Sequence, residues 1–131
     1  MYCRYQDIID AVYRDPASAL GVEERLLSPE LMHILKVHSE AVARKAVAVC
    51  KAHPELGADE DLVYAGAMLH DVGIVKCDAP GIHCFGTEPY IKHGVIGAEM
   101  LNDEKLARIC ARHTGTGLPG LEPETIEEDV F

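Results

Sequence analysis

The segment Leu62-Val63-Tyr64-Ala65-Gly66-Ala67-Met68-Leu69 is almost wholly apolar, and it runs straight into His70 and Asp71, which are followed at once by Val72-Gly73. A helix apolar on every side has no solvent-facing stripe, so such a segment belongs in the middle of a packed structure. An imidazole and a carboxylate placed where a core helix runs out are costly unless something compensates them. A divalent metal ion does so directly.

Elsewhere the apolar residues recur at helical spacing, and few runs alternate at period two. The chain is therefore expected to be all-α, a compact helical bundle of about five to six helices. A first short helix is predicted over about residues 5–14, ending before an Asp15-Pro16 loop. A second opens with Ser28 as N-cap and Pro29 at the first helical position and stops before Pro54. A third runs from near Asp59 to Asp71, with Gly73 as its stop. Residues 73–88 carry Pro80, Gly81 and Gly86 and read as a long loop suited to substrate contacts. A fourth helix is expected from near Pro89 to Leu101 and a fifth over about residues 103–113. The acidic stretch from Glu122 to Asp129 reads as the start of a sixth.

With 131 residues the chain has the size of one domain, with a motif-bearing core over about 28–131 preceded by a helix and loop over 1–27. Twelve Lys and Arg against twenty-two acids, a formal net charge of -10, argue against extended nucleic-acid binding. A small phosphorylated substrate stays compatible, because a bound cation and a few local Lys or Arg reverse the field inside a pocket. No apolar run is long enough to span a bilayer and the first residues lack a signal-peptide core, so a soluble, cytoplasmic protein without a membrane partner is expected. Cys3, Cys50, Cys77, Cys84 and Cys110 are an odd set without a CxxC pair, which fits reduced thiols filling the core. Whether the chain forms a homo-oligomer is left open.

Each histidine can be asked which side of its helix it occupies. His38, with Ile34, Leu35, Ala41 and Val42 around it, falls on an apolar face of the second helix. His70 follows Val63, Gly66 and Ala67 on the third; His93 leads Ile96, Gly97 and Met100 on the fourth, where Gly94, Gly97 and Ala98 permit close approach; His113 closes the stripe Leu106, Ile109, Cys110. One such residue is more often a core histidine bonded to a carbonyl than a ligand. Four of them with Asp71 would leave the bundle five buried polar side chains without other obvious partners, so a shared cation is the better reading. His33 and His53 read as structural or solvated, and His83 lies in the loop.

His38, then His70-Asp71 in a Leu-His-Asp-Val-Gly setting, His93 in His-Gly-Val-Ile-Gly-Ala-Glu-Met-Leu and His113 in Arg-His-Thr-Gly together resemble the HD-domain superfamily of metal-dependent phosphohydrolases. The nearest likeness is to small HDIG-type proteins, with His70-Asp71-Val72-Gly73 standing at the His-Asp-Ile-Gly element. The resemblance implies an α-helical fold, one or two divalent metals, a metal-activated water and hydrolysis of a phosphate ester. Carried over by position, His38, His70 and Asp71 would hold the first metal and His93 and His113 a second, with Asp71 bridging. That family usually adds a late Asp, and Asp129 is the only late aspartate here; Asp129, water or a residue beyond Phe131 is expected to fill that position.

Imidazole and carboxylate ligands suit Mn, Fe, Co, Ni or Zn better than Ca, and Mg is also compatible with the family. Asp71 and His70 would stand at the reacting centre, and Lys76 is the preferred cation for orienting the phosphate. Lys92 and Arg112 each adjoin an inward histidine and so point about 100° away from it. A small phosphate ester or nucleotide is the expected substrate. The same ligands would also serve an HD-type di-iron oxygenase, and a chain lacking the late Asp would serve as a non-catalytic signalling or ligand-binding module.

Overall fold

Two N-caps set the pair of helices on which the rest is built. The Ser28 hydroxyl accepts the Leu31 N–H at 3.1 Å and the Asp59 carboxylate accepts the Leu62 N–H at 3.2 Å, each satisfying one of the unpaired amides of a helix start. Pro29 follows Ser28 with its φ already helical. The helices so opened are α3 (Pro29–Ala52) and α4 (Glu60–Leu69). In chain order they are preceded by α1 (Gln6–Arg14) and α2 (Pro16–Leu20) and followed by a hairpin of β1 (Asp78–Ala79) and β2 (Cys84–Phe85), then α5 (His93–Met100) and α6 (Glu104–Arg112). The computed structural model describes residues 3–112, 125 and 127. The all-α architecture holds, and the only sheet among the described residues is that two-stranded hairpin, pairing Asp78 with Phe85 and Ala79 with Cys84.

α4 is the central element, with Leu62, Val63 and all residues from Ala65 to Leu69 buried. α3 packs along one side of it and α6 along another, and α1 also touches it, with Tyr13 reaching the Met68 carbonyl near its end. Leu31, Leu35, Leu69, Leu106 and Ile109 are almost wholly enclosed, each such side chain stabilising the fold by about 1.5–3 kcal/mol. All five cysteines are free and buried, as core-filling thiols should be. No helix among the described residues is long and apolar enough to cross a membrane.

Three expectations are corrected. Residues 16–20 form the helix α2, capped by Asp15, which accepts the Ser18 N–H, and closed by Gly21 in the left-handed region. Residues 73–88 are not an open loop: a 3-10 turn, Val72–Lys76, buries Val72, Gly73, Ile74 and Val75, and the hairpin then encloses Cys77 and Cys84 completely. Gly73 does not stop a helix, since α4 has already ended at Leu69. It makes room for α5 instead. A Cβ on Gly73 would stand 1.9 Å from the His93 carbonyl oxygen and 2.6 Å from the Gly97 nitrogen, so backbone touches backbone where the two segments cross. That crossing places the start of α5, and with it His93, beside the end of α4. Of the stretch expected to open a sixth helix, only Thr125 and Glu127 are among the described residues.

Candidate metal centre

His70 is the residue that ends α4, and Asp71 leaves helical geometry with φ -106 and ψ 9 before the 3-10 turn begins. The Asp71 carboxylate is the point on which the imidazoles converge. His38 Nε2 lies 2.9 Å and His70 Nε2 3.3 Å from Oδ2, while His93 Nε2 lies 3.2 Å from Oδ1. Ligand atoms of His38, His70 and Asp71 all fall within 4.8 Å of one another, near the span of groups sharing one ion at about 2.0–2.2 Å each.

The other ring nitrogens fix the tautomers. His70 Nδ1 donates to the Ala67 carbonyl at 2.6 Å and His93 Nδ1 to the Tyr90 carbonyl at 2.7 Å. A carbonyl has no proton to give, so both Nδ1 atoms must carry one, and in a neutral ring Nε2 is then a bare lone pair. Two lone pairs thus face a carboxylate. Such an arrangement is stable only with positive charge between the partners, supplied by a proton on Nε2 or by a metal ion. Burial lowers the proton affinity of His93, but its bond to Asp71 and the Tyr90 carbonyl outweigh that and leave its pKa above the ordinary imidazole value. The donor set and its orientation fit a divalent cation.

His38 differs from the expectation of an enclosed ring. The buried stripe of α3 is Leu31, Leu35, Ser39, Ala43, Ala46 and Cys50, which leaves His38 on its flank with the side chain 52% exposed. It reaches Asp71 from the rim, whereas the His70 side chain is 5% exposed and forms the floor. Lys76 is not gathered into this cluster. The 3-10 turn buries the four residues before it and leaves Lys76 lining two surface grooves, one with Gly21, Arg25 and Glu88 and one with Ile91 and Lys92, neither of which includes His38, His70, Asp71 or His93. His113 and Asp129 lie outside the described residues. His33 and His83 are exposed, and His53 is exposed and paired with Glu55.

Sequence reasoning missed Tyr90. Its ring packs on that of His93 with centroids 4.6 Å apart and planes tilted by 31°, and it remains 43% exposed. Burial, followed by the Asp71 charge, keeps the phenol protonated by raising its pKa. The available signal was an aromatic residue three positions before His93, the spacing at which a helical turn brings a backbone carbonyl to a ring nitrogen.

A family model described as HD domain matches residues 35–130, and the chain belongs to that family. Relatives include an uncharacterized protein of Methanocaldococcus jannaschii, 32% identical over 128 residues that cover 86% of this chain and 68% of the relative. The tRNA (cytidine(56)-2'-O)-methyltransferases of Picrophilus torridus and Thermoplasma volcanium are 34% and 33% identical over 109 residues, 71% of this chain in each case. The match spans only 28% of the length of each methyltransferase. No solved structure gives a significant match.

Proposed function

We propose that the chain is a metal-dependent phosphohydrolase that cleaves a small phosphate ester or nucleotide. The observation carrying this reading is the convergence of three Nε2 atoms on one carboxylate whose charge they cannot balance as neutral rings. His38, His70 and Asp71 would hold one ion, and His93, on the other carboxylate oxygen, would serve a second with Asp71 between them. A divalent ion in such a site lowers the pKa of coordinated water and neutralises charge building on phosphoryl oxygens. The protein's own part is orientation: the Ala67 and Tyr90 carbonyls hold the rings, and Asp71 fixes where they meet. Substrate approaches from the side of His38, the solvent-facing member of the cluster. Tyr90, protonated and half-exposed beside His93, offers a phenol to the incoming group.

The test is incubation of the purified chain, loaded with Mn or Co, against phosphomonoesters and phosphodiesters. Hydrolysis that disappears in Asp71→Ala and survives in His33→Ala supports the reading. Full metal occupancy with no hydrolysis across the panel defeats it. Bound iron with oxygen-dependent turnover would assign di-iron oxygenase chemistry in its place.

A second reading has its own support, because the matched segment makes up 28% of two relatives named as tRNA methyltransferases. In it the chain is a metal- or ligand-binding module working beside a tRNA-modifying unit. A net charge of -10 makes direct contact with the RNA backbone unfavourable, so the module would act on its partner protein and not on the tRNA. Retention of metal without hydrolysis, together with altered methyl transfer on adding the chain to a methyltransferase, is the outcome that would favour it.

A further inference from the structure

The last carbonyls of an α-helix have no partner within the helix, and those at the end of α4 lie directly before the His-Asp doublet. Three in succession accept a side-chain donor. Ala67 takes His70 Nδ1 at 2.6 Å, Met68 takes the Tyr13 hydroxyl at 2.5 Å, and Leu69 takes the Cys110 thiol at 3.3 Å. The last two donors come from α1 and α6, separated from their acceptors by 55 and 41 residues.

We propose that Tyr13 and Cys110 are positioning residues for His70 and Asp71, holding the Met68 and Leu69 carbonyls and so fixing where α4 stops. In an uninterrupted α-helix those carbonyls would accept the N–H groups of residues 72 and 73. The chain instead switches to a 3-10 turn after Asp71, and side-chain donors from the neighbouring helices stand in for amide ones. Were Asp71 to take the helical φ of about -63 in place of -106, its carboxylate would turn by about 40° about the N–Cα bond, away from the rings it now meets. Both donors keep their protons at neutral pH: burial pushes Tyr13 up to about 12 and the Cys110 thiol well above its usual range. Ile9 and Val12 anchor α1 in the core and bring Tyr13 to its acceptor. Tyr13 lies before residues 35–130, the part matched by the family model.

The consequence for metal rests on the proposed function, whereas the consequence for ring geometry does not. The experiment therefore has two readouts, the imidazole nitrogen resonances of His70 in metal-free protein and titration with Co. Tyr13→Phe and Cys110→Ala should each shift the His70 resonances, weaken Co binding about tenfold, in the range seen when an outer partner of a metal ligand is lost, and alter the visible spectrum of bound Co. Val63→Ala and Cys50→Ala, which remove core volume at the far end of the α3–α4 pair without touching these carbonyls, should lower the melting temperature and move neither readout. Cys110→Ser keeps a donor and should recover most of the loss. Unchanged His70 resonances in both Tyr13→Phe and Cys110→Ala overturn the proposal, and so does an equal shift in Val63→Ala. Should Tyr13→Phe fail to fold, the Ala and Ser variants of Cys110 decide. Absence of Co binding in the unaltered protein would defeat the metal reading alone, and the resonances would still decide this one.

Discussion

The two ends of the α3–α4 pair are built on opposite principles. At one, Ala46 and Cys50 of α3 meet Val63 of α4, with Ala58 packed against them, a contact of small apolar groups. At the other, His38 reaches across to Asp71 and His70, and the carbonyls behind them are bound by side chains from α1 and α6. The apolar end is held by packing, which tolerates modest changes of volume and has no directional requirement. The polar end is directional: three Nε2 atoms are aimed at Asp71, and the carboxylate at its centre is stable there only when positive charge accompanies it. Stability and chemistry are thus separated along one pair of helices, and substitutions at the two ends should have separable effects.

The largest effect is expected at Asp71. Asp71→Ala should weaken metal binding by more than the roughly 100-fold that follows loss of an outer partner, read by metal analysis after dialysis, while His33→Ala leaves the content unchanged. Wild-type metal content in Asp71→Ala would remove the contrast between the two ends. Next is Gly73→Ala, whose new methyl meets backbone atoms that cannot step aside; a loss of about 3 kcal/mol in denaturant unfolding is expected. If that variant keeps full stability, the crossing is looser than described. Val63→Ala, at the apolar end, should destabilise by about 2 kcal/mol with unaltered affinity for Co, and a fall in affinity would show that the ends are coupled.

The smallest effect is a dependence on pH. In metal-free protein the pKa of His93 is raised on folding, above an unfolded value of about 6.5. Its contact with Asp71 therefore stabilises fully below about pH 6.5 and is lost as pH rises through the higher folded value. The melting temperature of chelator-treated protein should fall across that window, and His93→Gln should flatten the slope.

Local signals in the sequence were reliable guides where a single residue decides the structure. Ser28 with Pro29, and Asp59, mark their helix starts through bonds made within three residues, and both were legible. Asp15-Pro16 with Gly21 carried the same kind of signal for α2 over a segment short enough to read as a loop. Long-range features were not legible. Gly73 has the chemistry of a helix stop, and only the arrival of α5 shows that it is a crossing point. The hairpin rests on two residue pairs, too few to leave an alternating pattern among its Pro and Gly residues. At the centre, the His70-Asp71 doublet announced itself by its apolar surroundings, and His93 by helical spacing. The same spacing misjudged His38, because the apolar neighbours Ile34, Ala41 and Val42 lie on the half-buried flank of α3 and not on its enclosed face.

The rim position of His38 bears on how long an ion would stay. His70 and His93 are locked by carbonyls and cannot let go without disturbing helix ends, but His38 can turn away into solvent by a change of side-chain rotamer alone. Opening the site to solvent would then need only a surface side chain to turn, with the bundle intact.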